Sequence, residues 1–238
     1  SVWLRMNTVF KFGVQAWVLL GLALGSALPL LVERRTVGRQ RLSIWAAGAA
    51  VLGLVSLLYL PLAVYARVNE RFPGGPPPRG TLDGTAYMHN GIYRWPDELN
   101  PHMLRYDREA IIWLWEHVAG TPVLLEAPLG YYREGGLRVS SYTGLPTLAG
   151  AHQREQRPAD HVDARERDAA QLYRTPDTAL AQQIASRYRI RYIYVGSLER
   201  TLYSEPALAK FEVMVAQGVL ERAYTNPRVT IYRVVDGA

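Results

Sequence analysis

The sequence predicts an extracytoplasmic α/β domain of layered helices on a mixed sheet, preceded by two transmembrane α-helices. Three observations predict it. Two long stretches near the start carry no formal charge, an arginine-rich loop joins them, and the hydrophobic period beyond residue 80 alternates between helical and strand spacing.

The apolar stretches run from Phe12 to Val32 and from Ser43 to Ala66. A bilayer core of ~30 Å takes about 20 apolar residues in a helix, so each is long enough to span. Small residues at Gly21, Gly25 and Ser26, and at Ala46, Ala47, Gly48, Ala49, Ala50 and Gly53, suit close packing between such helices; generic membrane-helix composition is the alternative. Between the spans, residues 33–41 hold Glu33 with Arg34, Arg35, Arg39 and Arg41. The positive-inside rule places that loop in the cytoplasm and both flanks outside, so residues 67–238 form the extracytoplasmic part of an integral membrane protein.

Charge follows the same division. Of the net +6, residues 1–32 hold +2, residues 33–41 hold +3, residues 42–66 none and residues 67–238 only +1. The basic excess thus flanks the apolar segments and does not mark a nucleic-acid-binding face. The chain has no cysteine, which excludes disulfides and cysteine-ligated metal. A chain that begins at Ser1 on the outer side, with no charged n-region and cleavage site before its first span, reads as the end of a longer protein with further spans upstream; a mature N-terminus made by processing is the alternative.

Residues 67–80 include Pro73-Gly-Gly-Pro-Pro-Pro-Arg-Gly80 and read as a linker. The α/β domain then occupies residues 81–238. Asp107 is placed to cap a helix running to about Val118, and Val123 to Ala127 reads as a short buried strand with Glu126 near its end. Helices follow at about 164–173 and 176–188, a strand at 190–195, and a helix at 205–217. Val219 to Tyr224 and Val229 to Val234 close the domain as an antiparallel pair through Thr225-Asn-Pro227.

No nucleotide-binding, zinc-protease or serine-hydrolase motif occurs. Four local features have chemistry that a site would need. Glu126 ends a strand, where α/β proteins present ligand-binding groups; the alternative is a buried carboxylate paired with arginine. Ser140, Ser141, Tyr142 and Thr143 form a hydroxyl-rich loop suited to sugar or phosphate, or an ordinary turn. His152, Glu155, Arg157, Asp160, His161 and Asp163 gather imidazoles and charges, but loop spacing alone does not make a metal site. Arg5, Asn7 and Lys11 stand at the outer mouth of the first span, where cations either bind a lipid phosphate or simply snorkel.

Several strings together carry a family resemblance. Arg5-Met-Asn-Thr-Val-Phe-Lys-Phe12 with Gln15 and Trp17, Leu82-Asp-Gly-Thr-Ala-Tyr87, Asp107-Arg-Glu-Ala110, Thr143-Gly-Leu-Pro-Thr147, Gln156-Arg157, Leu172-Tyr173 and Tyr194-Val-Gly-Ser-Leu-Glu-Arg200 resemble the C-terminal part of the YYY membrane-protein family. That family is largely uncharacterised and is similar in architecture to the GT-C polytopic glycosyltransferases.

The resemblance implies sugar transfer from a polyprenyl-phosphate donor to an envelope acceptor, with the catalytic carboxylate upstream of Ser1 and the upstream transmembrane helices and the lipid bilayer as partners. Under it, Arg5, Asn7 and Lys11 contact the lipid phosphate, and Glu126, Ser141, His152 and Arg157 contact acceptor or sugar. No cofactor is evident in the chain, and the resemblance leaves room for a divalent metal in the intact enzyme. Gly13-Val14 and Gln153-Arg154 depart from the family pattern. The rival reading is a non-catalytic, membrane-anchored binding or structural module; an independent outer-face hydrolase is a third.

Overall fold

The computed structural model describes residues 3–33, 39–129, 137–150 and 157–235. The chain divides into two compact units, Ser1–Tyr65 and Ala66–Ala238.

The first unit is built from α1 (Trp3–Glu33) and most of α2 (Arg39–Arg71). At 1.5 Å per residue the two helices are roughly 46 and 50 Å long, well beyond the bilayer core. Their most apolar windows, Val9–Ala27 and Ala46–Arg71, bury no side chains within the chain. Trp17 is 76% exposed and Leu20 70%. Apolar surface of that extent is stable only against lipid or other helices, which makes both helices candidate membrane spans. Pro29 and Pro61 lie inside the helices, each removing one backbone donor, and Ser26 satisfies its own hydroxyl on Leu22 O at 2.8 Å.

The linker begins later than its composition suggests. Helix α2 continues through residues 67–71, where Arg67 and Glu70 pair at 3.1 Å, and it stops before Pro73. The remaining stretch is tied to the domain. Phe72 packs on Gly91, and Asn90 Nδ2 donates to Pro76 O at 3.2 Å. A Cβ on Gly91 would lie 2.7 Å from Tyr87 O and 3.5 Å from the Phe72 ring, so only glycine admits this approach.

The second unit contains a two-stranded ribbon and a four-stranded mixed sheet. A 3₁₀ turn at Ala86–His89 leads into β1 (Ile92–Tyr93), which pairs antiparallel with β2 (His102–Met103). Then follow α3 (Leu104–His117), β3 (Val123–Leu125), α4 (Arg138–Thr143), α5 (Ala159–Arg174), α6 (Thr178–Arg187), β4 (Ile190–Val195), α7 (Ser197–Leu202), α8 (Glu205–Ala216), β5 (Leu220–Thr225) and β6 (Thr230–Val234). The sheet order is β3-β4-β6-β5, with β3 and β4 parallel and the other pairs antiparallel.

Strand alternation builds the layers. Leu124, Tyr194 and Ile231 face one core with Ile111 and Leu114 of α3 and Val139 of α4. Their neighbours Leu125, Ile193 and Tyr232 face the other, with Tyr173 of α5, Ile184 of α6 and Phe211 and Met214 of α8. Three further devices fix local geometry. Asp177 caps α6 by accepting from Ala179 N at 2.8 Å and Leu180 N at 3.3 Å. Asn226 Oδ1 accepts from Arg228 N and Val229 N, making the β5–β6 turn, while its Nδ2 donates to Tyr106 O of α3. Lys210 of α8, only 2% exposed, donates to Ala207 O at 2.8 Å and to Tyr173 O, near the end of α5, at 3.0 Å.

Burial lowers the Lys210 ammonium from 10.5 to about 7. Its folded pKa lies below its unfolded one, so between these values the unfolded chain binds the extra proton and stability rises with pH. Burial holds the Tyr173 and Tyr194 hydroxyls well above their ordinary value, which reverses the trend once unfolded tyrosines ionise. Urea unfolding of the full chain in detergent is therefore expected to show stability rising from about pH 7 to about pH 10, at up to ~1.4 kcal/mol per pH unit, the limit for one proton. Lys210→Met abolishes most of that slope.

Candidate functional site

The parallel strands β3 and β4 end side by side, and the residues just beyond them are charged. Glu126 follows β3, and Gly196 and then α7 follow β4. This is the edge at which open α/β sheets hold ligands.

Here that edge is filled by the protein's own ions. Arg138, the first residue of α4, donates through Nε to Asp107 Oδ1 at 3.0 Å and through Nη2 to Glu199 Oε2 at 2.7 Å. Its guanidinium lies 5.2 Å from the centre of the Tyr194 ring. Tyr194 in turn donates its hydroxyl to Asp107 Oδ1 at 2.5 Å. Burial alone would lower the guanidinium pKa, but Glu199 and Asp107 hold it well above the ordinary value.

Glu199 is 0% exposed and does further bonding. As the N3 residue of α7 it reaches back to accept from the N-cap amide, Gly196 N, at 2.9 Å, and its second oxygen accepts from Ala127 N at 3.2 Å. One carboxylate thus holds Ala127, the second residue after β3, and Gly196, the first after β4. A Cβ on Gly196 would meet the Tyr194 ring at 2.7 Å, Arg138 Nη2 at 3.1 Å and Glu199 Oε2 at 3.2 Å, so this position is confined to glycine. Tyr173, from the opposite face, places its hydroxyl 2.6 Å from Tyr194 O and 3.1 Å from Leu125 O.

Glu126 is 2% exposed and accepts from Val139 N at 2.9 Å and Ser140 N at 3.0 Å. These are amides of the first turn of α4, whose preceding residue, Leu137, has φ 60° and no side chain able to cap. Glu126 supplies the missing cap from a distant strand. Burial pushes its carboxyl pKa up, opposed by its bonds to Ser140 and by the Arg138 charge.

The sequence-derived candidates are distributed as follows. Glu126 is buried at the strand end as expected of its position, but both oxygens are engaged and it is not presented to a ligand. Ser141 is exposed on α4, which is a helix and not the loop its hydroxyl-rich composition suggests. Arg157 is exposed just before α5. No hydrogen bond or ion pair among the described residues joins Glu126, Ser141 and Arg157. His152, Gln153, Arg154, Glu155 and Gln156 lie outside the described residues, as do Arg34 and Arg35. Arg5, Asn7 and Lys11 all belong to the N-terminal turns of α1, with positions 7 and 11 four residues apart along one side of the helix.

Asp107 requires a correction. The helix begins at Leu104, so Asp107 does not cap it; it is 3% exposed and receives Arg138 and Tyr194. The residues that sequence reasoning missed are Arg138, Glu199 and Tyr194. Of these only Glu199 has a local signal, a glutamate three residues after the glycine that follows a strand, where it can reach back to the first amide of a helix.

The chemical consequence is restraint. Asp107, Glu126 and Glu199 are all engaged with amides, a hydroxyl or a guanidinium, which leaves none of them placed as a general acid or base. Among the described residues no group of three or more His, Asp or Glu converges to hold a metal ion.

No protein-family model and no curated protein matches the chain. Among solved structures, the C-terminal globular domain of an oligosaccharyltransferase from Archaeoglobus fulgidus is similar, with 15% identity and a TM-score of 0.36 over 54% of this chain and 96% of that one.

Removing Arg138 would leave two buried carboxylates facing each other without a counter-charge. Arg138→Ala is expected to cost about 3–5 kcal/mol in the unfolding of the second unit, measured by urea titration of the full chain. Arg138→Lys, which lacks the fork that reaches both partners, recovers less than half of that loss.

Proposed function

We propose that this chain is the C-terminal part of a membrane glycosyltransferase of the polyprenyl-phosphate-sugar-dependent kind. In this reading the α/β domain is a non-catalytic accessory on the outer face of the membrane. The observation that carries the accessory role is the commitment of every strand-end carboxylate to holding loops together. A domain that catalysed on its own would keep at least one such group free to move a proton.

The remaining assignment follows the resemblance of the sequence to the YYY family and, through it, to GT-C enzymes. The intact enzyme uses a carboxylate of an upstream outer loop to activate the acceptor, with inversion at the sugar. Arg5 and Lys11, with Asn7, stabilise the phosphate leaving group. Ser141, His152 and Arg157 contact acceptor or sugar, and Glu126 contributes by holding the helix that carries Ser141. A membrane-anchored module that binds envelope material without any transferase is the alternative, favoured by the same engaged carboxylates.

Two measurements separate these readings. In the full-length protein, Arg5→Ala with Lys11→Ala is expected to reduce transfer from a polyprenyl-phosphate sugar by about a hundredfold, the scale for losing charge stabilisation of a leaving group. Wild-type turnover in the double variant removes the phosphate role, and absence of transfer by the unaltered protein leaves the binding module. Topology is testable because the chain has no cysteine. A membrane-impermeant maleimide added to intact cells is expected to label Arg228→Cys and to spare Thr36→Cys; the opposite pattern removes the outer-face reading.

A further inference from the structure

A second place in the domain has the form of a binding site and takes no part in the ion network. A cleft of about 400 Å³ opens where the last turn of α2 meets the β1–β2 ribbon. That volume lies in the range of small-molecule sites, ~300–1,000 Å³. Glu70 and Arg71 form one wall; Arg94, Trp95 and Glu98, from the loop between β1 and β2, form the other; Tyr93 lies between them.

Both walls are held in place. The contact of Phe72 with Gly91 fixes the end of α2 on the ribbon, and Leu104 N donates to Gly91 O at 3.1 Å. In the opposite wall, Asp97 accepts from Leu99 N at 2.9 Å and from Asn100 Nδ2 at 2.7 Å, which closes the loop on itself. Arg94 donates to the Glu98 carbonyl at 3.3 Å. Arg71 and the Glu98 carboxylate make no ion pair among the described residues, so a donor and an acceptor remain for a ligand.

The lining selects the class of ligand. The two arginines and two glutamates of the lining sum to no net charge, and a phosphate drawn by Arg71 or Arg94 would also face the Glu98 carboxylate. An acyl chain would have to strip water from four charged groups. A sugar ring meets neither penalty. Its C–H face lies against the indole of Trp95, and its neighbouring hydroxyls both donate to carboxylate and accept from guanidinium.

We propose that this cleft binds a neutral glycan segment close to the membrane surface. Residues 70 and 71 lie only four and five positions beyond the uncharged stretch that ends at Ala66. The proposal rests on the outer-face reading for its location, since that reading puts the cleft among envelope saccharides.

The test uses the full chain in a detergent without a sugar headgroup, screened on an array of neutral hexose and hexosamine oligosaccharides and then titrated with the best of them by saturation-transfer NMR. Saturable binding is expected for the unaltered chain, weakened about tenfold or more by Trp95→Phe, Arg94→Gln or Glu98→Gln with unfolding curves unchanged. Arg94 and Glu98 are exposed, so their variants keep the test independent of folding. The proposal is overturned if no saccharide binds, if all three variants bind as tightly as the unaltered chain, or if only inorganic phosphate or adenosine saturates the protein. Saccharide binding by a chain whose domain labels from the cytoplasmic side would remove the outer-face reading and leave the cleft standing.

Discussion

One guanidinium joins the elements that surround the ends of the parallel strands. Arg138 begins α4, Asp107 belongs to α3 and Glu199 to α7, so a single side chain ties three helices together. The arrangement is asymmetric, with two carboxylates for one arginine. The third carboxylate, Glu126, is therefore satisfied by amides and not by a counter-charge. Desolvation of such a cluster costs several kcal/mol per ion, so its presence is weak evidence for stability and strong evidence for a fixed geometry. Gly196, confined by three members of the cluster at once, shows how closely the backbone has been drawn around it.

The two long helices obey a different constraint. Their backbone bonds are satisfied internally and the described side chains of their most apolar windows are not buried within the chain, as suits helices surrounded by lipid. Pro29 and Pro61 each leave one carbonyl of the preceding turn without its usual donor. Such positions are tolerated in spanning helices when neighbouring groups supply the bond, and they mark places where further helices can pack.

The legible part of the sequence is the part governed by local physics. Ile190 to Val195 alternates and forms β4 over those residues, and Thr225-Asn-Pro227 makes its turn because Asn226 can bond the backbone two and three residues ahead. The two long apolar helices are legible because length and absence of charge suffice. Less legible were features whose cause lies far along the chain. Asp107 has the composition of an N-cap, but its partners are 31 and 87 positions away. Helix α4 reads as a hydroxyl-rich loop because its cap is Glu126, twelve residues before it begins. Glu126 itself was recognisable as a strand-end carboxylate, while its engagement with amides was not. Lys210, one of only two lysines among 27 basic residues, sits in an apolar run that gives no sign of the α5 carbonyl it reaches.

The close seat of Phe72 on Gly91 has a kinetic and thermodynamic consequence. Because Phe72 directly follows the last residue of α2 and lies against Gly91, the connection from the end of that helix into the ribbon is short. On the proposed reading, in which α2 spans a membrane, a ligand confined to that membrane meets a domain on so short a connection at an effective concentration set by geometry, in the millimolar range, whatever its bulk abundance. Occupancy under those conditions needs only millimolar intrinsic affinity, and release stays fast. The same site would be nearly blind to a dilute soluble form of the same ligand, so a short tether acts as a filter for where a molecule is held as much as for what it is.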